Sequence, residues 1–210
     1  MPTPNQSGLF AGLLALFSSA VFSETVIVNL EEPSTDGFYT GISNLRGWAV
    51  AESGIASIEI DVDGTYAFDV PMGGMRGDVA KVYPDFPDSD TSGFSMAYNY
   101  KGLSPGEYVF TARAISKDGG VATDSATVKV DRFLSSYIAD SSEVDTSTVS
   151  EVSFGDASFT LKGLTVEGHQ WDVVMDFDTA TQSFEIADIA EVGAPDTGTV
   201  CPSGSWSSGD

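Results

Sequence analysis

The chain offers few side chains that could make or break bonds: it has one histidine, His169, and one cysteine, Cys201. A Ser, Thr or Cys nucleophile needs a base beside it, so a nucleophilic site would have to form around His169. That residue falls in Glu167-Gly168-His169, which reads as a surface hairpin turn, and no Gly-x-Ser-x-Gly elbow accompanies it. Cys201 lies in a Gly-, Ser- and Pro-rich stretch with no organised base nearby. It cannot close an internal disulfide and reads as incidental, with a link between two chains or a modification as the alternative.

Carboxylates are abundant, with Asp and Glu totalling 31. Paired carboxylates can hydrolyse glycosides, but among so many some fall close together by chance, and proximity without a cleft decides nothing. No enzymatic activity is expected, and a carboxylate-dependent hydrolase is the remotest alternative. A more specific arrangement is the turn-rich string YPDFPDSDTSG at 83–93, which places Asp85, Asp88 and Asp90 within six residues. Hard cations favour oxygen ligands gathered in this way, and calcium is the ion such a loop would take. The spacing is not that of an EF-hand and the terminal Glu is missing. The alternative is a solvated acidic loop whose Asp side chains cap their own backbone. Acidic loops around Asp140, Glu143 and Asp145, and around Asp176 and Asp178, are weaker candidates.

The string MGGMRGDV at 72–79 contains Arg76-Gly77-Asp78, a tripeptide that some cell-surface receptors read as an adhesion signal. A specified tripeptide arises by chance in roughly one chain in forty of this length, so the match alone carries little weight. Arg76 and Asp78 read better as structural: a guanidinium fork can clasp a carboxylate or loop carbonyls, and an Asp can bond the backbone of its own turn.

The elements that would position these residues are strands. The chain has 210 residues, 41% of them hydrophobic, enough for one sizeable core or one domain plus a smaller module. With 9 Lys and Arg the formal charge is -22, and no Lys or Arg follows Lys162. Such a surface repels phosphate backbones, which excludes nucleic acid as a partner, and favours solubility, with attraction of cations the sharper alternative. Residues 1–23 carry no ionisable side chain, and an apolar run at 8–22 precedes Glu24. This is read as a signal peptide with the mature start near Glu24, although only the terminal amine can serve as its positive end. The alternatives are a buried helix or a membrane anchor, but the run is shorter than the roughly 20 residues a span requires. The expected location is secreted, periplasmic or at the cell surface, with no membrane span left after cleavage.

From 24 to 131 short strands alternate with turns. Ile58, Ile60 and Val62 alternate with polar neighbours, Asp63-Gly64 supplies a two-residue hairpin turn, and Tyr66, Phe68 and Val70 resume the alternation. Phe94, Met96, Tyr98 and Tyr100 alternate again, and Lys117-Asp118-Gly119-Gly120 turns the chain into a last strand at 122–130. Seven strands at this spacing, with no convincing helical period, predict an all-β fold built as a two-sheet antiparallel sandwich.

Five strings within this stretch carry a resemblance: Gly47-Trp48-Ala49, Ile58 through Gly64, Arg76-Gly77-Asp78-Val79, Ser92-Gly93-Phe94, and Leu103-Ser104-Pro105-Gly106-Glu107-Tyr108. Together they resemble the immunoglobulin-like modules of secreted and surface-associated bacterial proteins. The resemblance implies an Arg-x-Asp-Val pattern with a free middle position, a tyrosine corner at Tyr108, and, with the antibody-type disulfide missing, Trp48 as the core anchor. It implies fold and location, whereas function lies in loops that vary.

A second unit is expected at 132–192, opening with a polar linker at 139–147 and continuing as a small β-meander. Trp171, Val173, Met175, Phe177, Phe184 and Ile186 would share one side of it. So small a sheet has little core of its own, so that side is expected to pack on the sandwich or on another copy. The remainder, 193–210, reads as a flexible tail. The function expected is a non-catalytic extracellular binding, adhesion or structural module whose partner is a protein or a glycan. The alternative, a carbohydrate-binding accessory, would expose a row of aromatics drawn from Tyr66, Tyr98, Tyr100 and Trp171.

Overall fold

The computed structural model describes residues 24–179 and 181–193. The 1–23 segment, and the tail from 194 with Cys201, lie outside them.

Nine strands and one α-helix frame the first unit: β1 (Val26–Glu32), β2 (Phe38–Tyr39), β3 (Ile42–Ala51), β4 (Ile55–Val62), β5 (Thr65–Asp69), β6 (Met72–Gly74), α1 (Gly77–Val82), β7 (Gly93–Asn99), β8 (Gly106–Ser116) and β9 (Val121–Val130). They form one sheet in the order β1-β3-β7-β6 and another in the order β2-β9-β8-β4-β5. The opening segment is shared between the sheets, since β1 pairs antiparallel with β3 while β2 pairs parallel with β9. With β4, β8 and β9 side by side opposite β1, β3 and β7, this is an immunoglobulin-like sandwich.

Period-two alternation explains the core. Ile58 and Ile60 of β4, Phe110, Ala112 and Ala114 of β8, and Leu45 and Ala49 of β3 point inward. Tyr100 fills the centre, stacked on Tyr39 with centroids 4.6 Å apart and tilted against Phe110 at 5.5 Å. Its hydroxyl donates to the Asn44 carbonyl at 3.3 Å, and burial pushes its pKa upward. The β4–β5 turn has positive φ at Asp63 (50°) and Gly64 (73°), as a two-residue hairpin demands. At the start of β8 the Tyr108 hydroxyl donates to the Ser104 carbonyl at 3.0 Å, which is tyrosine-corner geometry.

Trp48 corrects an expectation. It stands one residue out of phase with Leu45, Gly47 and Ala49, so it faces away from the core and is only half-buried. The core is anchored by Tyr100, Phe110 and Leu45 instead. A second correction is α1, within a stretch where no helical period was read; six residues are too few to display one.

The second unit comprises β10 (Val144–Asp145), β11 (Glu151–Phe154), β12 (Ser158–Val166), β13 (His169–Asp178) and β14 (Ser183–Glu191). They form a sheet ordered β10-β12-β13-β14, with β11 also pairing on β12. Thus the expected linker at 139–147 contributes a short strand, since Val144 and Asp145 pair with Val166 and Thr165. Leu164, Val166, Trp171, Val173 and Ile189 pack under Phe133 from the connecting segment, with Phe38, Ile138 and Val149 also against them. Lys129 links the two units: its ammonium lies 5.1 Å from the Phe38 ring centre and 3.1 Å from Asp188.

Candidate functional site

Three of the family-like strings meet where β3, β7 and β6 lie side by side. Gly47 pairs with Phe94, and Trp48 with Gly93. A Cβ at Gly47 would overlap the Phe94 ring and the Asn29 carbonyl, so glycine is what lets that ring reach the core. A Cβ at Gly93 would come within 2.9 Å of the Gly74 carbonyl oxygen and 3.2 Å of Arg76 Cγ, so this glycine lets β6 and the stem of Arg76 lie close. Arg76 then organises the segment. Its Nε donates to Asp78 Oδ1 at 2.9 Å, and its Nη2 donates to Asp78 Oδ2 at 2.7 Å and to Glu31 Oε1 at 2.8 Å. Its amide donates to the Asp90 carbonyl at 2.7 Å, closing the loop. The Arg76 hydrogen bonds hold the Asp78 carboxyl well below the usual carboxylate range. The two charged groups of the Arg-Gly-Asp string are therefore bonded to each other. Val79 is buried beneath the turn, and Trp48 packs on Tyr83 with centroids 5.5 Å apart.

Asp85, Asp88 and Asp90 are not brought together as ligands. Among the described residues no group of three or more His, Cys, Asp or Glu side chains could hold a metal ion. Asp88 lies 3.8 Å from the Lys117 ammonium, and Asp90 serves the loop through its carbonyl. The backbone at Asp88 is left-handed (φ 56°), which residue spacing alone could not reveal. Asp140 and Asp145 each accept the backbone N–H two residues on, at 2.9 Å, which is local capping.

His169 opens β13 beyond a turn with positive φ at Glu167 (52°) and Gly168 (79°). Its Nδ1 faces Glu191 Oε1 across the sheet, in a partly exposed pair. That pair bridges β13 and β14, and among the described residues no hydroxyl is recorded against the ring.

Of the aromatics proposed as a carbohydrate platform, Tyr100 and Trp171 are buried and Tyr98 packs against the sandwich core. Tyr66 is exposed, its hydroxyl 3.2 Å from Asp69. These side chains do not form a row.

The exposed aromatic surface lies elsewhere. Pairing places Phe154 opposite Phe159, Phe159 opposite Met175, and Phe177 opposite Phe184. These residues continue the same face as Leu164, Trp171, Val173 and Ile189, whose end is covered. At their end the cover stops: Phe154 is 82% exposed and Phe184 49%. Phe159, Phe177 and Phe184 pack edge to face, with centroids 5.1 and 5.3 Å apart. Alternation in the sequence put Phe177 and Phe184 on the apolar side. It missed Phe154, because β11 follows a stretch read as linker.

No protein-family profile matches the chain, and no curated protein does. Solved structures give distant matches. The fibronectin(III)-like modules of Clostridium thermocellum CbhA align over 50% of this chain and 98% of theirs, with 17% identity and a TM-score of 0.32. The N-terminal Ig1-2 module of the Drosophila receptor protein tyrosine phosphatase DLAR aligns over 81% and 97%, with 10% identity and a TM-score of 0.35. Bacteroides ovatus SGBP-B, solved with a mixed-linkage heptasaccharide, aligns over 79% of this chain and 47% of its own, with 11% identity and a TM-score of 0.31. At these values the likeness adds nothing to the reading of the site.

Proposed function

We propose that this protein is a non-catalytic binding module that works outside the cytoplasm and engages another protein with the uncovered end of its C-terminal sheet. One observation carries the reading: Phe154, Phe177 and Phe184 extend a buried apolar face into solvent. A contiguous exposed apolar patch of this kind marks an interaction surface, and a strong net charge keeps its bearer soluble until the partner arrives. The export-like segment at 1–23 supports an extracellular site of action, and among the described residues no helix is long and apolar enough to cross a membrane. A protein partner is favoured over a glycan because the exposed rings pack edge to face instead of lying flat in a row.

The test compares the full chain with a Phe154→Ser/Phe184→Ser variant against panels of extracellular proteins and of glycans. A protein ligand bound by the parent and lost by the variant, with circular dichroism unchanged, supports the reading. Glycan hydrolysis, or binding indifferent to the two changes, would overturn it.

A further inference from the structure

The uncovered end of the C-terminal sheet is also a free edge. β10 and β11 lie in line along one side of β12, whose other side belongs to β13. Two bonds fix how β11 is turned: the Ser150 N–H donates to the Lys162 carbonyl and the Gly155 N–H to the Ser158 carbonyl, each at 2.9 Å. Gly155 and Ser158 are thus a bonded pair, and in an antiparallel ladder bonded pairs recur at every second residue. The next two are Ser153 with Thr160 and Glu151 with Lys162, which turn their N–H and C=O groups to β12. Val152 and Phe154 therefore turn theirs outward. Among the described residues no strand pairs with that side of β11.

Such an edge is a template for another strand, and the rest of the molecule guards against it. On β1 the Leu30 N–H is taken by Asp124 Oδ2 at 2.8 Å. β14 is set beside β2 at the joint between the two units, where Lys129 reaches Asp188 at 3.1 Å. β5 changes register against β4 between Ile60 and Asp61 and carries Asp69. β11 has no such guard. Its one charge, Glu151, is matched by Lys162 at 3.1 Å, which leaves a neutral edge on a chain of charge -22.

The side chains agree with the backbone. Val152 and Phe154 share a face with Leu161 and Phe159, their partners on β12, and are 44% and 82% exposed. A strand laid beside β11 would set alternate side chains against them, and apolar ones would extend the face that runs through Phe159 to Phe184. The neutral edge suits an uncharged segment. A second copy is a poor occupant, because it brings a charge of -22 to meet the same charge.

We infer that β11 receives an extended, uncharged segment of another protein as an added antiparallel strand, bonded to the N–H and C=O groups of Val152 and Phe154 and apolar at alternate positions. This rests on the reading of the uncovered sheet end as the binding surface. It adds how the partner is held: by its main chain along the edge as well as by side chains on the aromatic face.

Fluorescent hexapeptides alternating Val with Thr test the inference by anisotropy with the full chain. N-methylation of every Val removes the N–H groups that an antiparallel strand aims at β11 while keeping the side chains, and should weaken binding about tenfold or more. N-methylation of every Thr, on the far edge, should leave binding unchanged. Val152→Pro removes the outward N–H and no bond to β12, so circular dichroism should hold while binding falls about tenfold. Val152→Thr keeps that N–H and should bind as the parent does. The methylated peptides leave the protein intact and decide the matter should Val152→Pro disturb the sheet. If Phe154→Ser weakens binding while Val152→Pro and both methylated peptides match the parent, side chains alone hold the ligand; strand addition is overturned and the aromatic surface stands. Binding indifferent to Phe154→Ser and Val152→Pro alike would remove both. No binding of the unmethylated peptide would overturn strand addition and leave the aromatic surface to the Phe154→Ser/Phe184→Ser comparison. Self-association in sedimentation, abolished by Val152→Pro, would assign the edge to a second copy and overturn the inference as well.

Discussion

The two units solve the same burial problem with different resources. The sandwich has two sheets, so each supplies the other's cover, and Tyr100, Phe110, Leu45, Ile58 and Ile60 are shut away between them. The C-terminal unit has one sheet and draws its cover from outside, with Phe133 and Ile138 from the connecting segment and Phe38 from β2. A single sheet therefore depends on its neighbour for stability, and whatever the neighbour leaves uncovered becomes surface for something else. Dependence and binding capacity have one origin.

The strongest way to break this comparison is to empty each core in turn. Phe110→Ala removes a fully buried ring and should cost about 3–5 kcal/mol, read by urea denaturation. Because Phe38 stands on a sandwich strand, hydrogen exchange in β12–β14 should rise along with that in β4 and β8. Phe133→Ala should cost about 3 kcal/mol and be felt by the C-terminal sheet alone, with exchange in the sandwich unchanged. If the sandwich is destabilised as much by Phe133→Ala as by Phe110→Ala, the two units form one cooperative body and the comparison fails.

Trp48 offers a sharper contrast within the sandwich. As an outward residue packed on Tyr83 it should cost only about 1–2 kcal/mol on change to Ala, clearly below the loss for Phe110. Cleavage between Met72 and Gly93 should accelerate at the same time. A loss as large as that of Phe110→Ala would restore Trp48 to the core.

These residues show what could be read from the chain. Strands with strict alternation, such as the one bearing Ile58 and Ile60, declared their inward faces, and Asp63-Gly64 declared its turn, because each rule acts over a few neighbours. The resemblance points to Trp48, but phase decides against it: Leu45 and Ala49, each two positions from Gly47, fix which face points inward and leave Trp48 on the other. The acidic loop failed for a different reason, since ligand geometry depends on backbone dihedrals such as the positive φ of Asp88. The joint was illegible in principle. Ile42 and Phe184 stand far apart in sequence, and only the seating of one unit on the other makes them walls of one hollow.

The Arg76 clamp should respond more modestly, and its neighbour hardly at all. Arg76→Ala frees Asp78 and Glu31 and should speed proteolysis of the 72–93 segment severalfold with little change in the urea midpoint. Gly77→Ala should do neither, because a Cβ there meets nothing within 4 Å. Acid sharpens the point. Asp78 is depressed by its Arg76 hydrogen bonds, so the clamp's contribution is complete above the ordinary Asp pKa of about 3.9 and drains away as pH falls below it towards the folded-state value. Protection of the segment should thus hold through mildly acid conditions and fail only in strong acid, and a loss already evident near neutrality would contradict the assignment.

The smallest expected effect bears most directly on the comparison. Phe154 lies at the uncovered end of the C-terminal sheet, where its ring is mostly in water already, so Phe154→Ser should shift stability by no more than about 0.5 kcal/mol. An aromatic that stability does not require, on an edge strand beside three other phenylalanines, is an exposure hazard unless a partner makes use of it. Near-zero cost on folding together with loss of ligand binding would place Phe154 with function, and a cost of several kcal/mol would mean that the sheet covers more of its face than its geometry allows.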